Sequence, residues 1–422
     1  MKKEIMAGVN LNLQTTQQFK TNRIEVHFLS KTSVAEMAKR TLLTNILETS
    51  SQKFNTQTKV THELSRMYGA SFSTSVAKKG TLHDISFSMV VVNEKFINQK
   101  VDLIQQAFEF LNEIINYPLA SGNEFDQEIF SRQKANLIDY IRSAADDKQY
   151  WAMQQLRQLT YGQDSIQATP SYGKISDIES ISNSDLFEYY RSLLSSDQIQ
   201  ITVVGDTDGE TVTEAVKIFD FKARNFELKS VFSKLEPVSE VSIGEVHDNV
   251  NQAKLDFAYD FPVYVRDQHY FAAIVFNALF GGTPQSKLFL KVREEASLAY
   301  YASSTLDLYN GIMMVQTGID GANWHKVEDI IALQLVALQN GDFKSEDLDN
   351  VKKGLQSEYL ASLDSPRSFC RKVLSDWALN STMTDEMWLS GIQAVTIDDV
   401  KEIASLVHLR SEFILDGNLD ED

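Results

Sequence analysis

The sequence predicts an α+β protein made of two homologous units, each a mixed, mostly antiparallel sheet covered by helices on one face. The main observation is an internal repeat. Residues 64–90 and residues 292–316 both run from a helix end through a turn of small residues into two strands joined by a short turn. An offset of about 228 residues within a 422-residue chain indicates one structural unit present twice. Strands joined by hairpin turns or by helices favour a sheet with helices packed against it.

The composition agrees with a globular protein of this size. Hydrophobic residues make up 43% of the chain and charged residues 23%, while only 18 Gly and 6 Pro are present. The length is typical of two or three domains, and the low Gly and Pro content excludes a collagen-like or low-complexity chain.

The first repeat is expected to span residues 1–224. Its strand at residues 24–28 alternates between polar and apolar side chains. Apolar residues at helical spacing then predict three helices, and a final apolar strand closes the sheet. The helices cover residues 38–47, 101–115 and 125–142, and the closing strand covers residues 199–206.

The second repeat, residues 247–422, shows the same order of elements. Its first strand covers residues 254–259, its helices cover residues 271–279, 327–338 and 348–363, and its closing strand covers residues 412–417. In both repeats the third helix is followed by a further helix that contains a Trp, Trp151 or Trp377. The mixed, charged residues 225–246 between the repeats are predicted to be a surface linker.

The charge of the chain argues against nucleic-acid binding. Asp and Glu total 58 and Lys and Arg total 40, which gives a formal net charge of -18. A net field of this sign repels phosphates, and no run of basic residues is long enough to form a compensating patch.

The sequence favours a cytoplasmic protein. Its one cysteine, Cys370, has no partner for an internal disulfide, which indicates a reducing compartment, and we expect it to be a small buried apolar group. No apolar stretch of signal-peptide length follows the basic N-terminal residues. The apolar run at residues 89–92 is far shorter than the ~20 residues that cross a bilayer, so we expect no contact with a membrane.

Two segments resemble a known family. Residues 286–300 read SKLFLKVREEASLAY, in which Arg293 lies five residues before a Leu-Ala-Tyr that ends at Tyr300, and the strand ending near residue 206 reads Val-Val-Gly-Asp. With the internal repeat, these residues resemble the insulinase/pitrilysin-type zinc peptidases, also called inverzincins. Within the family the resemblance is to the short bacterial members that pair two subunits into a clamshell. It spans nearly the whole chain and implies that this chain forms half of such a clamshell.

The resemblance implies an H-x-x-E-H zinc motif at the end of the first long helix, and this sequence departs from it. Asn45 and Thr49 stand where the two His would be, and only the Glu is retained, as Glu48. An amide and a hydroxyl are poor Zn²⁺ ligands compared with two imidazoles. The seven histidines of the chain show no H-x-x-H or H-x-x-x-H spacing, so each is expected to be a surface or packed residue.

The family's third zinc ligand is a Glu on a later helix, seven residues after another Glu. Gln133 and Tyr140 hold these two positions in the most similar stretch. Asp139 is adjacent, so an alignment shifted by one residue would restore one carboxylate. Since a zinc site depends on several strong donors acting together, we expect no metal and no cofactor in this chain. We also expect no peptide hydrolysis by this chain alone.

The family's second unit supplies an Arg and a Tyr that reach the substrate, and the resemblance assigns these roles to Arg293 and Tyr300. An Arg offers permanent, planar donors to a peptide carbonyl or carboxylate. A Tyr hydroxyl can donate to the carbonyl oxygen as negative charge develops there. The structural alternative is that Arg293 pairs with a nearby acid and that Tyr300 packs in the sheet.

These features predict the zinc-free subunit of a heterodimeric zinc metallopeptidase. A homologous partner subunit would hold the zinc, and both subunits would line a chamber for the peptide substrate. The alternative is a non-enzymatic structural or peptide-binding homodimer, and a homodimer is also expected when the partner is absent. Other hydrolytic and nucleotide chemistry is not supported, because the sequence lacks a G-x-S-x-G elbow, a catalytic-Cys signature and the glycine motifs that bind phosphates.

Overall fold

The structure is a computed structural model of the 422-residue chain, and it describes residues 1–417. The chain folds into two compact units. Unit 1 comprises Met1–Ile141, Pro170–Val231 and Ser362–Thr382, and unit 2 comprises Arg142–Thr169, Phe232–Ala361 and the described residues from Met383 onward. Each unit therefore contains one segment from the opposite half of the sequence.

The first half of the chain forms strands and helices close to the predicted ones. Its strands are β1 (Lys2–Met6), β2 (Val9–Thr15), β3 (Thr21–Lys31), β4 (Ser71–Lys79), β5 (Leu82–Val92), β6 (Ala120–Ser121), β7 (Glu124–Phe125) and β8 (Gln198–Gly205). Its helices are α1 (Val34–Thr49), α2 (Gln57–Arg66), α3 (Leu103–Asn116), α4 (Gln127–Ala144), α5 (Lys148–Tyr161), α6 (Ile175–Ser180), α7 (Asn183–Ser196) and α8 (Gly209–Val216).

The second half repeats much of this order. Its strands are β9 (Ser242–Asp248), β10 (Ala253–Asp260), β11 (Ala299–Asp307), β12 (Ile312–Ile319) and β13 (His408–Gly417). Its helices are α9 (Tyr270–Asn277), α10 (Trp324–Asn340), α11 (Ser345–Ser362), α12 (Pro366–Ala378), α13 (Asp385–Ala394) and α14 (Ile397–Ser405). Ala278–Gly282 and Phe289–Glu295 are π-helical segments between α9 and β11.

The two main sheets share one strand order, which confirms the predicted fold class. Unit 1 has the order β1-β2-β8-β3-β5-β4, and unit 2 has the order β11-β12-β10-β13-β9. Read from the other edge, the second sheet matches the first strand for strand, apart from the additional β1. Neighbouring strands are antiparallel except for β2 with β8 and β9 with β13, which are parallel.

The repeat is also visible in the turn before one edge strand of each sheet. β4 and β11 are both nine residues long and start 228 residues apart, at Ser71 and Ala299. Two residues before these starts, Gly69 has φ 74° and Ser297 has φ 54°. Both values lie in the left-handed region, which a serine rarely adopts. The same reversal of chain direction thus precedes both strands.

Each sheet buries one face against the helices of its own repeat. In unit 1 the side chains of Ile24, Val26 and Phe28 belong to the core that also contains Leu42 of α1 and Phe108 of α3. These β3 residues are spaced two apart, so they lie on the same face of the strand. Helices and sheet therefore bury a shared apolar layer, as the periodicity predicts.

The opposite face of each sheet is covered by one helix from the other half of the sequence. α5 packs on β10 and β13 in unit 2, and α12 packs on β8 and β3 in unit 1. Both helices start at clear sequence signals. Asp147 accepts hydrogen bonds from the backbone N–H groups at the start of α5, and Pro366 occupies the first turn of α12. This second cover was not part of the sequence-based expectation, which placed helices on one face only.

The sequence repeats and the compact units thus have different boundaries. Residues 142–169 of the first repeat belong to unit 2, and residues 362–382 of the second repeat belong to unit 1. The segment predicted as a linker, residues 225–246, includes the start of β9, which begins at Ser242.

Candidate functional site

The residues that the resemblance assigns to the zinc motif lie at the end of α1. Asn45, Glu48 and Thr49 are three and four residues apart, so they share one face of the helix. All three are partly buried, and the residues between them, Ile46 and Leu47, belong to the core. The helix therefore holds these positions in the register that the motif requires.

The polar groups of this turn are engaged in local hydrogen bonds. The Thr74 hydroxyl of β4 donates to Oε2 of Glu48 at 2.6 Å. The Thr49 hydroxyl donates to the carbonyl oxygen of Ile46 at 3.0 Å. Glu48 thus links α1 to the edge strand, and Thr49 uses its proton within its own helix.

The residues that the resemblance assigns to the third ligand position lie on α4. The side chain of Tyr140 is 61% exposed, and its ring meets that of Tyr172 edge-to-face at a centroid distance of 6.2 Å. Gln133 lies two turns earlier and is partly buried, and Asp139 is exposed.

These side chains do not fit a zinc ion. An amide, a hydroxyl and a phenol are weak donors to zinc beside the imidazole and carboxylate groups that zinc sites use. Within residues 1–417, no three His, Cys, Asp or Glu side chains come together in a way that would hold a metal ion. No hydrolytic step through a metal follows from the residues of this chain.

The opposite face of the unit 1 sheet contains an ionic cluster that the sequence analysis missed. Nδ1 of His27 lies 2.9 Å from Asp84, and its Nε2 lies 3.1 Å from Oε2 of Glu25. Arg23 donates to Oε1 of Glu25 at 2.6 Å. Arg23, Glu25 and His27 alternate along β3, and that period of two was the available signal. Asp84 lies 57 residues further along the chain than His27, so its part in the cluster depends on strand pairing.

The protonation of this cluster follows from its geometry. Burial opposes the charged form of His27, but the carboxylates of Asp84 and Glu25 outweigh it and raise the pKa of His27 to about 10. Burial also favours the neutral acid of Glu25, but His27 and Arg23 lower the pKa of Glu25 to about 2. An imidazolium with both nitrogens protonated binds no metal, so His27 is a packed ion-pair residue.

Arg293 is exposed near the end of the second π-helical segment of unit 2. Its side chain is 44% exposed, and its guanidinium carbon lies 4.7 Å from the centroid of the Phe289 ring. Its Nε is 3.6 Å from Oε1 of Glu294, which is itself more than half exposed. A solvated pair at this separation contributes little stability. The guanidinium is therefore open to another ligand.

Tyr300 is exposed at the start of β11. Its side chain is 72% exposed, and the hydroxyl has no hydrogen-bond partner within the described chain. The next residue, Tyr301, points the other way and lies under the Lys254 ammonium, 5.4 Å from the ring centroid. Tyr300 thus does not pack in the sheet, in contrast to the structural alternative for this position.

Arg293 and Tyr300 flank one short reversal of the chain. The left-handed Ser297 lies between them and turns the π-helical segment into β11. Both side chains of the predicted pair are accessible on this part of unit 2.

None of the helices described over residues 1–417 combines the length and the apolar character needed to cross a lipid bilayer.

Comparisons with known proteins agree with this arrangement. A family profile described as the peptidase M16 inactive domain matches residues 180–355. The probable inactive metalloprotease YmfF of Bacillus subtilis strain 168 is 30% identical over 97% of this chain and 96% of its own length. The uncharacterised zinc protease YmxG of the same strain is 23% identical over 66% of this chain and 68% of its own length.

A solved structure supports the fold over the full length. A conserved protein from Enterococcus faecalis V583 has a TM-score of 0.95 and 34% sequence identity, covering 100% of this chain and 99% of that chain. The family expected from the sequence is thereby confirmed. Because YmfF matches nearly the whole chain and the profile match gives the same family, the chain belongs to the M16 peptidase family as a homologue of its inactive type.

Proposed function

We propose that this chain is the zinc-free subunit of a heterodimeric M16 peptidase, in which Arg293 and Tyr300 contact the peptide substrate. The observation that carries the proposal is the contrast between the two predicted sites. The three zinc positions offer only weak donors, whereas the Arg and Tyr side chains are exposed and available. An inactive protein with no role near a substrate has no chemical need for such a pair.

The chemistry of the pair suits peptide binding in a shared chamber. Arg293 would donate to a backbone carbonyl or to a carboxylate of the substrate through its fixed guanidinium fork. The Tyr300 hydroxyl would donate to the scissile carbonyl oxygen, on which negative charge grows during attack by water. The water itself would be activated in the partner subunit, which supplies the zinc.

The proposed partner is a homologous, zinc-bearing subunit. Two relatives of this chain from one Bacillus strain, one described as inactive and one as a zinc protease, support a division of this kind within one organism. We also propose that the chain forms a homodimer when the partner is absent. A cytoplasmic location is proposed because the single cysteine, Cys370, is buried and cannot form an internal disulfide.

We further propose that residues 1–224 and 247–422 are two copies of one peptidase-like unit, joined by residues 225–246. The shared strand order of the two sheets supports this assignment. α5 and α12 each pack on the sheet formed by the other copy, but this packing does not alter the order of the two copies in the sequence.

The test combines the chain with the homologue from its own genome that contains H-x-x-E-H. A fluorogenic peptide should be cleaved by the mixture and not by this chain alone. Arg293→Ala and Tyr300→Phe should each lower kcat/KM by about tenfold or more, since each removes a donor to charge that develops in the transition state. Arg132→Ala and Tyr117→Phe are matched controls, because both side chains are similarly exposed in unit 1 and neither belongs to a predicted site.

Two results would contradict the proposal. One is full activity of the zinc-bearing homologue without this chain. The other is an unchanged kcat/KM in the Arg293→Ala and Tyr300→Phe variants of an active complex.

The alternative function is a structural or peptide-binding homodimer without enzymatic activity. The weak donors at Asn45, Thr49 and Tyr140 fit this role equally well. Analytical ultracentrifugation of the chain with and without the zinc-bearing homologue separates the two functions. A homodimer that persists in excess homologue favours the scaffold, and conversion to a heterodimer favours the peptidase subunit.

A further inference from the structure

Unit 2 contains a cleft at the end of β11 that is remote from Tyr300 along the strand. Its volume is about 390 Å³, which falls in the range of small-molecule sites. Its walls come from the end of α5, from the turn between β11 and β12 and from the segment before α9. The lining includes Arg157, Tyr270, Asp307, Leu308, Tyr309 and Met314.

Arg157 is the unusual member of this lining. Its Nε is buried and has no hydrogen-bond partner among residues 1–417, and the guanidinium forms no ion pair within that part of the chain. Buried donors are almost always satisfied, and leaving a charged one unpaired is costly. Arg157 is only partly buried, so its unpaired guanidinium is available to an anionic ligand that enters the cleft.

The one carboxylate of the cleft does not fill that role. Asp307 accepts hydrogen bonds from the backbone N–H groups of Tyr309 and Asn310, both at 3.2 Å, and from Nδ2 of Asn310 at 2.7 Å. Three donors thus converge on Asp307, which offsets its charge and fixes the turn. Asp307 therefore forms part of the cleft wall and does not act as the counter-ion of Arg157.

A second donor lies one helical turn from Arg157, outside the lining of the cleft. The Tyr161 hydroxyl is buried and has no hydrogen-bond partner in the described chain. Burial, with a further contribution from Asp307, raises the pKa of Tyr161, so the phenol stays neutral and keeps its proton. α5 thus places a cation and a neutral hydroxyl donor at i and i+4 on one face.

The remainder of the cleft is apolar or aromatic. Leu308 and Met314 are buried, and the rings of Tyr270 and Tyr309 supply flat surfaces. A ligand that matches both the Arg157 guanidinium and the apolar lining has one anionic end and one apolar body. The planar fork of an arginine matches a carboxylate with two parallel hydrogen bonds.

We propose that this cleft binds an organic carboxylate with an aromatic or branched apolar body, whose carboxylate pairs with Arg157. The ligand is either a free small acid or the C-terminal carboxyl of a peptide, since both present the same chemistry. The site is independent of the proposed function. Tyr300 lies at one end of β11 and Asp307 at the other, roughly 20 Å apart at the usual rise of a strand.

The test is calorimetric titration of the full chain with two matched pairs of probes. One pair is 3-phenylpropionate and its neutral amide, and the other is N-acetylglycyl-phenylalanine and its C-terminal amide. Each acid that binds should do so at least about tenfold more tightly than its amide, as expected for hydrogen bonds between charged groups. Selective binding of the first acid alone identifies a small-acid site, and selective binding of the second identifies a peptide carboxyl site.

Three variants define the site. Arg157→Met should remove the preference for acid over amide in either pair. Thr305→Trp should fill the cleft from its exposed wall and abolish binding while leaving the charge unchanged. Lys353→Met removes one positive charge from an exposed position on α11 and should leave binding intact. Equal affinity for acid and amide in both pairs, no binding of any probe, or full acid preference in Arg157→Met would overturn the proposal.

Discussion

The sheets of the two units have matching strand orders, but the faces that α12 and α5 cover differ in chemistry. In unit 1, α12 covers a face that contains Arg23, Glu25 and His27, and the side chain of Cys370 contacts the first two of these. In unit 2, α5 covers a mainly apolar face with Ile312 and Leu415, on which Lys254 and Asp256 of β10 are also buried. The same strand order is thus compatible with an ionic face under α12 and with a mainly apolar face under α5. The apolar core on the first face is the feature that both units share.

The largest expected effect comes from breaking the ionic cluster of unit 1. His27→Ala removes the cation between Glu25 and Asp84, which leaves Asp84 without its ion-pair partner and Glu25 with Arg23 alone. We expect the free energy of unfolding of unit 1 to fall by about 3–5 kcal/mol. Urea titration followed by hydrogen exchange of each unit measures this change. The combined variant H27L/D84N, which removes this pair of charges together and keeps the Arg23–Glu25 pair, should recover a large part of the loss, and a loss as large as in His27→Ala would contradict the ionic account.

The matched change in unit 2 removes an apolar side chain from under its helix. Leu156 of α5 is fully buried, and Leu156→Ala should lower the free energy of unfolding of unit 2 by about 2–5 kcal/mol. The loss should be measured at pH 6, below the pKa of Asp256, a fully buried carboxyl on the same face whose pKa burial raises to about 8. A loss of less than about 1 kcal/mol would mean that the apolar contact of Leu156 does not hold α5 on the sheet.

The pH dependence that the ionic cluster gives to unit 1 should follow the shifted pKa values of His27 and Glu25. The pKa of His27 is raised from 6.5 to about 10, so its contribution to stability is complete below pH 6.5 and is lost as pH rises towards 10. The pKa of Glu25 is lowered from 4.5 to about 2, so its contribution is present above pH 4.5 and is lost as pH falls towards 2. Urea midpoints of unit 1 between pH 5 and pH 9.5 should therefore decline on the alkaline side. In His27→Ala this alkaline decline should be absent.

The smallest expected effect compares two equivalent helix positions. Ala152 of α5 and Cys370 of α12 are both buried and lie at the same distance from the starts of their helices. Ala152→Ser places a hydroxyl against apolar side chains and should cost about 1–3 kcal/mol. Cys370→Ser places one beside Glu25 and Arg23 and should cost less than about 1 kcal/mol, since those groups can accept or donate to it. Equal losses in the two variants would remove the distinction between the faces.

The sequence predicted the local elements and the register of the degenerate motif, because both depend on spacing within one segment. The face of α1 shared by Asn45, Glu48 and Thr49 follows from helical periodicity, and the order of β10 to β12 follows from the repeat. The sequence did not predict the sheet on which α5 packs. Its apolar residues suit any apolar face, and the strands on which it packs come about 90 residues or more later in the sequence.

The site was predictable to the same limited extent. The motif from residue 286 to residue 300 gave Arg293 and Tyr300 as candidate substrate-binding residues, but not their exposure, which depends on the turn at Ser297. The cleft beside Arg157 had no sequence signal, because α5, β11 and the segment before α9 come together only in the folded chain.

Because α5 and α12 each pack on a sheet from the other half of the sequence, the order of synthesis on the ribosome affects when each sheet is covered. The sheet of unit 1 is complete at Gly205, but its cover, α12, emerges some 170 residues later, roughly 10–30 s at ordinary rates of translation. Throughout that interval this face meets water, which its ionised side chains tolerate and an apolar face would not. Unit 2 never faces this delay, since α5 is translated before any strand of its sheet. The helix that is synthesised late, α12, thus covers the ionic face, and the helix that is synthesised early, α5, covers the mainly apolar face.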